Sequence, residues 1–189
     1  MNVYDFDKTI IDADSTELFI RYCAVKMPRL LLNSSPEQIA LSLFSYVLDN
    51  RKVEQFKESL FSFLAYVPDI DSVVNDFWNK NQHRVEPFYL ECRRDDDLII
   101  SASPEFIVRP MAERLGAELI ATPMSKTSGC ILGRNCRGEE KLRKFRQYYP
   151  DAEIETFYSD SLSDWPLASV ADRAFLIVNH QPEPWPYKL

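Results

Sequence analysis

The sequence predicts an α/β protein: a Rossmann-like three-layer α/β/α core with a parallel sheet, and an α-helical cap subdomain inserted after the first strand. Two observations predict this fold. From residue 98 onward, short apolar runs alternate with amphipathic helical segments. Before that alternation, most of the segment 13–92 carries apolar residues at helical spacing. We therefore expect a core formed by residues 1–12 and 93–189 and a cap formed by residues 13–92.

The N-terminal half is predicted to be helical apart from one short strand at its start, NVYDF at residues 2–6. Pro36 and Pro68 separate the helices that follow, and Asp69 or Asp71 can cap the last of them. An insertion at this position lies over the carboxyl end of the first strand, where open α/β sheets bind ligands. The predicted helices are TELFIRYCAVKM, PEQIALSLFSYVLDN, VEQFKESLFSFLAYV and DSVVNDFWNKNQHRVEPFYLECRR.

The C-terminal half is predicted to alternate between strands and helices. LIISAS is a compact apolar run typical of a buried strand, and the amphipathic segment after it ends at Gly116, a common helix terminator. SKTSGCILGRNCRG predicts a hairpin or an irregular excursion, and the proline-rich tail HQPEPWPYKL is expected to run over the surface. The further strands are AELIATPM, IETFYSD and AFLIVN, and the helices are PEFIVRPMAERLG, EEKLRKFRQYY and LSDWPLASVAD.

The composition argues against several classes of function. The formal net charge of −7 disfavours a nucleic-acid partner, because binding a polyanion requires clustered lysines and arginines. Four cysteines without a CxxC pair and only two histidines disfavour a zinc site, and they suit free thiols in a reducing cytosol. Because no charged leader with an apolar stretch precedes the first strand, we expect a cytoplasmic protein.

Membrane contact is disfavoured but stays an open alternative. The most apolar segment of the N-terminal half is PRLLLNSSPEQIALSLFSYVL, at residues 28–48. Asn, Ser, Pro, Glu and Gln interrupt it, and a bilayer-spanning helix does not carry these residues together. An amphipathic helix in this segment could still touch a membrane surface.

Two carboxylates, Asp5 and Asp7, follow the first apolar run in YDFDKTI. Side chains two residues apart in an extended chain point to the same side, so the two carboxylates can converge beyond the end of the strand. A bound cation, a shared proton or solvent would relieve their mutual repulsion. Taken alone, such a pair is equally typical of residues that cap a turn.

A hydroxyl and a lysine are candidates for binding an anion. Ser101 follows the apolar run LII, and Ser103 and Pro104 open the next helix, whose free backbone amides favour an anion; an ordinary helix cap is the simpler interpretation. Lys141 lies in the first turn of a helix, an unfavourable end for a cation unless an anion is near. Lys144, one turn further on, is the alternative, and either could be a solvated surface lysine.

A second pair of carboxylates follows the strand IETFYS. Asp160 ends this strand, and Asp164 lies four residues further on, where it can face back toward the strand end; Asp160 could also simply cap a helix. All these candidates lie at the carboxyl end of a strand or the start of a helix, and such positions share one edge of a parallel sheet. Several carboxylates without an imidazole pair suit a hard cation such as Mg²⁺, and a hydroxyl and a lysine suit phosphate oxygens.

The order DFDKT, IISAS, GEEK and SDSLSD resembles the four motifs of the haloacid dehalogenase superfamily, with a helical cap between the first two. The resemblance covers nearly the whole chain and is closest to the phosphoserine-phosphatase-like branch, subfamily IB. It implies a Mg²⁺-dependent phosphatase that hydrolyses a small-molecule phosphate monoester through a covalent aspartyl-phosphate intermediate. Because relatives that cleave carbon–halogen bonds lack an acid at the position of Asp7, the resemblance favours phosphate esters over haloacids.

The resemblance also implies a role for each candidate residue. Asp5 would be the nucleophile, Asp7 the general acid and base, and Thr9 would hold the loop that positions Asp7. Ser101, the backbone amide of Ala102 and Lys141 would bind the phosphoryl oxygens. The predicted Mg²⁺ ligands are Asp5, the backbone carbonyl of Asp7, and Asp160. Asp164 would complete the coordination through a water molecule or support the direct ligands from outside them.

Departures from the family pattern leave the substrate open. Phosphoserine phosphatases carry two glycines after the serine of the second motif, whereas Ala102 and Ser103 follow it here. They also carry a glutamate that reads the substrate's amino group, where this chain has the shorter Asp14, with Glu17 one turn away. The stretch TIIDADSTELFIRYC looks more like the part of the branch that includes histidinol-phosphate and phosphatidylglycerophosphate phosphatases. This widens the field, so all three substrate classes stay open.

Two alternatives are not phosphatases. A signalling receiver domain also gathers carboxylates and a lysine around Mg²⁺, but it accepts phosphate at a middle strand and has no inserted cap. A catalytically silent binding protein would keep the fold, but it would have no use for the whole set of Asp5, Asp7, Lys141 and Asp160.

Overall fold

The structure is a computed structural model that describes residues 1–28 and 53–187. A six-stranded sheet runs through it in the order β3-β2-β1-β4-β5-β6. Strands β1 to β5 are parallel, and β6 is antiparallel to β5. The strands are β1 (Asn2–Tyr4), β2 (Leu98–Pro104), β3 (Glu118–Thr122), β4 (Ile154–Ser159), β5 (Ala171–Val178) and β6 (Gln181–Pro184).

Seven α-helices are described around this sheet. The predicted helix at 36–50 and most of the apolar segment 28–48 lie outside the described residues. No helix in the described ranges is both long enough and apolar enough to span a membrane. The helices are α1 (Ser15–Lys26), α2 (Val53–Phe61), α3 (Ile70–Asn81), α4 (Pro87–Cys92), α5 (Glu105–Leu115), α6 (Glu139–Tyr148) and α7 (Trp165–Ala168).

The core has two sides, because successive residues of the buried strands point to opposite faces of the sheet. Tyr4 and Ile99 belong to a cluster that includes residues of α1 to α5, whereas Val3 and Leu98 belong to a cluster with α6 and α7. Helices therefore cover both faces of the sheet, and the predicted Rossmann-like fold class is confirmed. Trp78 of α3 ties the insertion to α5 by donating from Nε1 to the carbonyl of Ile107, at 2.7 Å.

Two points of the segment between β1 and β2 lie side by side, one near residue 11 and one near residue 85. Ile11 forms an isolated bridge with Val85, and the amide of Asp12 donates to the carbonyl of Arg84 at 3.0 Å. Between Ile11 and Val85, every regular element that the structure describes is a helix. The predicted boundaries of the cap, residues 13 and 92, stay a prediction.

Three helices differ from the sequence prediction. The helix expected at residues 53–67 ends at Phe61, and a 3-10 turn at Ser62–Tyr66 follows it. The long helix expected from Asp71 to Arg94 is broken: α3 ends at Asn81, a 3-10 turn follows, and α4 begins at Pro87. Proline starts a helix but cannot continue one, because it lacks the backbone N–H. The helix expected in LSDWPLASVAD is reduced to a 3-10 turn at Leu162–Asp164 and to α7, and β5 begins earlier than predicted.

The C-terminal tail runs along the edge of the sheet with most of its residues exposed, as predicted, but it also forms a strand that the sequence did not predict. This edge strand is β6, and Trp185, which follows it, is buried. Asn179 and His180 have φ values of 48° and 66°, the left-handed conformation that tight two-residue hairpins require. Pro182 and Pro184 disfavour a strand in the sequence, because proline has no backbone N–H to donate. An edge strand tolerates them, because one of its sides has no neighbouring strand to bond.

Candidate active site

Asp5 lies directly after the central strand β1. Its backbone amide donates to the carbonyl of Tyr158 in β4 at 2.8 Å, so the residue continues the line of the sheet. Its Oδ1 accepts from the amide of Phe6 at 2.8 Å and lies 2.8 Å from Nζ of Lys141. Burial raises the pKa of Asp5 to about 7, although the charge of Lys141 opposes this shift. Both contacts are made by Oδ1, so Oδ2 is the oxygen left for a ligand or a substrate.

Asp7 is held at both of its oxygens. Oδ1 accepts from the amide of Ser15 at 2.8 Å, in the first turn of α1, and Oδ2 accepts from the hydroxyl of Ser103. Burial, together with the charge of Asp14, raises the pKa of Asp7 to about 6, and these hydrogen bonds oppose the shift. Asp7 is therefore joined both to the insertion and to strand β2.

The loop between the two aspartates and α1 is closed by a turn. The carbonyl of Phe6 accepts from the amides of Thr9 and Ile10, at 3.3 and 2.9 Å. Thr9 is fully buried, and its hydroxyl oxygen accepts from the amide of Asp160 at 3.0 Å. Thr9 thus joins the loop after β1 to the end of β4, and the positioning role assigned to it stays a prediction.

Lys141 is a buried cation between two carboxylates. Its Nζ lies 2.8 Å from Asp5 and 2.6 Å from Asp164, and the residue is 1% exposed. Burial alone would lower the pKa of Lys141, but the two carboxylates outweigh it and raise the pKa. Lys144, the alternative in the sequence, instead donates to the carbonyl of Ala121 at 3.0 Å. The structure therefore brings Lys141, and not Lys144, to Asp5.

The two later carboxylates have different surroundings. Asp164 is 2% exposed, and its Oδ2 accepts from both Lys141 and the hydroxyl of Ser159, the latter at 2.8 Å. Asp160 is half-buried at the end of β4, and burial raises the pKa of its carboxyl group. Asp164 is thus engaged by Lys141, whereas the carboxylate of Asp160 makes no hydrogen bond with the described side chains.

Three hydrogen bonds hold the segment Ser101–Ser103 in place, one within the segment and two from other elements. The hydroxyl oxygen of Ser101 accepts from the amide of Ser103 at 3.0 Å, which leaves the Ser101 hydroxyl hydrogen for another acceptor. The carbonyl of Ala102 accepts from Thr122 in β3 at 2.7 Å and from Nζ of Lys57 in α2 at 2.8 Å. Because its carbonyl is held on one side, the peptide unit around Ala102 has a defined orientation.

A cavity of about 450 Å³ opens beside Asp7, between the sheet edge and helices α1 and α2. Asp14 and Glu17, the two residues predicted to read the substrate, both line it. Asp14 also caps α1 by accepting from the amide of Glu17 at 2.8 Å, and the Glu17 carboxylate pairs with Arg21. The polar residues that line the cavity include Asp7, Asp14, Thr16, Glu17, Lys57 and Ser103.

Lys57 was missed by the sequence analysis. Its ammonium group donates to two neutral oxygens, the carbonyl of Ala102 and Oδ1 of Asn135, the latter at 2.6 Å. Burial lowers the pKa of Lys57 to about 8. A lysine on an amphipathic helix normally extends into solvent, and no sequence pattern distinguishes Lys57 from such a residue.

The donor atoms at this edge fit a hard cation. Asp5, Asp7, Asp160 and Asp164 place four carboxylates at this edge, and Lys141 is the described lysine that contacts two of them, Asp5 and Asp164. All the donor atoms for a cation are oxygens. Within residues 1–28 and 53–187, no three acidic, histidine or cysteine side chains are already clustered as a metal site. The predicted set consists of two carboxylates and one backbone carbonyl, so it does not require such a cluster.

Comparison with known proteins establishes the family. A family model of haloacid dehalogenase-like hydrolases matches residues 3–169. The chain belongs to this family. Protein CicA of Caulobacter vibrioides is 28% identical to the hydrolase over 195 residues, covering 89% of this chain and 82% of CicA. The superfamily predicted from the four motifs is therefore confirmed.

Two solved structures share the fold of this haloacid dehalogenase-like hydrolase. A protein with unknown function from Bordetella pertussis Tohama I has a TM-score of 0.76 at 20% identity, covering 93% of this chain and 88% of that one. A phosphoserine phosphohydrolase-like protein from Francisella tularensis has a TM-score of 0.57 at 19% identity, covering 95% and 88%. At these identities the likeness shows a common fold.

Proposed function

We propose that this hydrolase is a Mg²⁺-dependent phosphatase that cleaves a phosphate monoester through a covalent aspartyl-phosphate intermediate. The observation that carries the proposal is the buried arrangement in which Lys141 holds Asp5 on one side and Asp164 on the other, at 2.8 and 2.6 Å. A carboxylate cannot easily approach a phosphate dianion unless nearby positive charge removes the repulsion. Lys141 supplies that charge at the nucleophile itself.

In the first half-reaction, a carboxylate oxygen of Asp5 attacks phosphorus while the bond between phosphorus and the ester oxygen breaks. Asp7 donates a proton to the departing oxygen, which leaves as an alcohol. The position of Asp7 beside the cavity, two residues after Asp5, supports this assignment. The products of this step are the aspartyl phosphate and an ionised Asp7.

In the second half-reaction, water attacks the phosphorus of the aspartyl phosphate. Asp7 takes a proton from that water, and the bond between phosphorus and Asp5 breaks. Inorganic phosphate leaves, Asp5 is again a carboxylate and Asp7 is again protonated. One residue can serve both steps because its proton is lost in the first and recovered in the second.

Three groups would bind the phosphoryl oxygens: the Ser101 hydroxyl, the Ala102 amide and Lys141. The Ser101 oxygen already accepts from the amide of Ser103, so its hydrogen can be donated to phosphate. The carbonyl of Ala102 is held by Thr122 and Lys57, which supports a fixed orientation of the segment. Phosphoryl transfer depends on such positioning and charge neutralisation.

Mg²⁺ would be held by Asp5, the backbone carbonyl of Asp7, and Asp160. When bound, it would neutralise charge on the phosphoryl group and on the facing carboxylates. Asp164 would act through Lys141, which it contacts directly, and reach the metal at most through water. Thr9 would keep Asp160 beside the loop of Asp7, as its hydrogen bond to the Asp160 amide supports.

The substrate would be a small phosphate ester, with no nucleic-acid partner, handled in the cytoplasm. Asp14 and Glu17 line the cavity and are the proposed residues that read the leaving group. The fold shared with a phosphoserine phosphohydrolase-like protein keeps phosphoserine among the candidates, beside histidinol phosphate and phosphatidylglycerophosphate. A panel of these three esters, compared by kcat/KM, would select among them.

The decisive experiment is phosphate release from 4-nitrophenyl phosphate by the wild type and by Asp5→Asn, with Mg²⁺ and after chelation. We expect turnover only by the wild type with Mg²⁺, and acid-stable labelling of the protein by a phosphate donor only when Asp5 is present. Asp151→Asn, an exposed aspartate remote from the sheet edge, is the matched control and should retain full activity. Equal turnover by Asp5→Asn would refute the nucleophile, and a wild type inactive on every ester would favour the silent binding protein.

A further inference from the structure

We propose that Ser103 is a positioning residue for Asp7, holding its carboxyl group in the orientation that delivers a proton to the leaving group. The proposal rests on the proposed function, because it presupposes that Asp7 is the general acid. Its basis is the hydrogen bond from the Ser103 hydroxyl to Oδ2 of Asp7. In the sequence, Ser103 was noted as a residue that opens the next helix and as a departure from the two glycines of phosphoserine phosphatases, with no role toward Asp7.

The carboxyl group of Asp7 is fixed by two donors that come from different parts of the chain. The amide of Ser15, at the start of α1, holds Oδ1 at 2.8 Å, and the hydroxyl of Ser103, in β2, holds Oδ2. Two donors on two different oxygens fix the plane of a carboxyl group as well as its position. A glycine at position 103 would leave only the contact with Ser15, about which the group could rotate.

The direction of these hydrogen bonds follows from the number of hydrogens. Ser103 has one hydroxyl hydrogen and donates it to the ionised Asp7, so the Thr16 hydroxyl, 2.9 Å away, must donate to the Ser103 oxygen. Thr16 and Ser103 both line the cavity beside Asp7, and Ser103 is only 4% exposed. Thr16 therefore orients the Ser103 hydroxyl toward Asp7.

Holding Asp7 in this way remains compatible with its role as an acid. Each carboxyl oxygen has a second lone pair, so Asp7 can carry a proton while both donors stay in place. The two hydrogen bonds then determine where that proton points. Because proton transfer requires the acid within hydrogen-bond reach of the departing oxygen, loss of this orientation should slow only reactions that need the proton.

Removal of the Ser103 hydroxyl leaves the phosphate-binding segment in place. The hydrogen bond within that segment runs from the amide of Ser103 to the oxygen of Ser101, and Ser103→Ala retains this amide. The carbonyl of Ala102 keeps its bonds to Thr122 and Lys57. A general disturbance of phosphate binding can therefore be distinguished from the loss of orientation at Asp7.

The test compares two esters of similar size, 4-nitrophenyl phosphate and phenyl phosphate. The 4-nitrophenolate ion leaves with little need for a proton, whereas the phenolate ion needs one. Since kcat/KM reports the steps up to formation of the aspartyl phosphate, the ratio of the two values measures the demand on the acid. Asp7→Asn establishes the full effect of losing that acid.

For Ser103→Ala we expect kcat/KM to fall about tenfold with phenyl phosphate and less than about twofold with 4-nitrophenyl phosphate. Ser103→Gly should behave in the same way, and Thr16→Val should shift the ratio in the same direction by a smaller factor. Inhibition by inorganic phosphate should be unchanged in all three variants. Ser62→Ala, which removes a partly buried hydroxyl bonded to the carbonyl of Ser59, is the control and should leave the ratio at the wild-type value.

The outcomes separate this inference from the proposed function. A wild type that hydrolyses neither ester refutes the phosphatase, and an unchanged ratio in Asp7→Asn refutes the acid; either result also removes the basis for Ser103. If the wild type and Asp7→Asn behave as expected but Ser103→Ala loses the same factor with both esters, the positioning role of Ser103 alone is refuted.

Discussion

Replacement of Lys141 by methionine tests the centre of the site most directly. Lys141 is 1% exposed and lies between Asp5 and Asp164, at 2.8 and 2.6 Å. Methionine fills a similar volume but leaves both carboxylates without their cation. Breaking a buried ion pair by removing one partner typically costs about 3–5 kcal/mol, because the remaining charge stays buried and uncompensated. We expect a loss of this size in the free energy of unfolding, measured in urea without added metal.

Lys144→Met is the matched control, because it removes a buried lysine of the same helix. Among the described residues, the ammonium of Lys144 donates to the neutral carbonyl of Ala121, so the loss of Lys144 should cost about 1–3 kcal/mol. The effect on activity should differ more strongly. Lys141→Met should lower kcat/KM for 4-nitrophenyl phosphate by at least about a thousandfold, as expected when a charge that neutralises the transferring phosphoryl group is removed. Lys144→Met should lower it by less than about threefold.

A double variant separates stability from activity. Adding Asp164→Asn to Lys141→Met removes one of the two uncompensated carboxylates, so part of the lost free energy of unfolding should return. Activity should not return, because the cation beside Asp5 is still missing. If Lys141→Met retains activity within tenfold of the wild type while folded, or if Lys144→Met is the more damaging of the two, the assignment of Lys141 is refuted.

Three further predictions concern stability and substrate binding. Burial raises the pKa of Asp97 from 3.8 to about 6, so its contribution to stability is present below pH 3.8 and is lost as the pH rises through 6. Asp97→Asn should therefore remove about 1 kcal/mol of the fall in the free energy of unfolding between about pH 5 and about pH 8, measured in urea titrations. Gly129 has a φ of 75°, and a Cβ there would lie 2.3 Å from the carbonyl oxygen of Phe61. Gly129→Ala should therefore lower the free energy of unfolding, measured by thermal unfolding, by about 2–4 kcal/mol. Gly133→Ala is the control and should cost little. Lys57→Met removes a cation from the cavity while Thr122 still holds Ala102, so KM for 4-nitrophenyl phosphate should rise about tenfold with a smaller change in kcat.

Local patterns in the sequence predicted most of the regular elements. Gly116 ends α5 in the left-handed conformation, with a φ of 71°, and Asp69 caps α3 by accepting from the amide of Ser72. Both predictions depend only on residues within one turn, where local sterics and hydrogen bonding decide the conformation. The strand β6 and the helix break before Pro87 were not predicted, for two different reasons. β6 depends on its pairing with β5 across the turn at Asn179 and His180, whereas its prolines disfavour a strand. The break before Pro87 has a local cause, because proline starts a helix but cannot continue one.

The candidate site was predicted in its residue types and in part of its geometry. Asp5, Asp7, Lys141 and Asp160 were identified because their order along the chain matches a known set of motifs, and parallel strands bring their carboxyl ends to one edge. The roles assigned to them stay predictions until they are measured. Lys57 was not identified, because its contact with Ala102 spans 45 residues and depends on how α2 packs against the sheet.

By itself, the sequence determined the family, the alternation of strands and helices, and the acidic residues at the ends of β1 and β4. These properties depend on short-range patterns that a single chain displays directly. Only the tertiary structure decided which lysine reaches Asp5, which hydroxyl holds Asp7 and what lines the cavity beside it. Each of these contacts joins residues far apart in the chain, and only the pairing of the strands and the packing of the helices on the sheet bring such residues together.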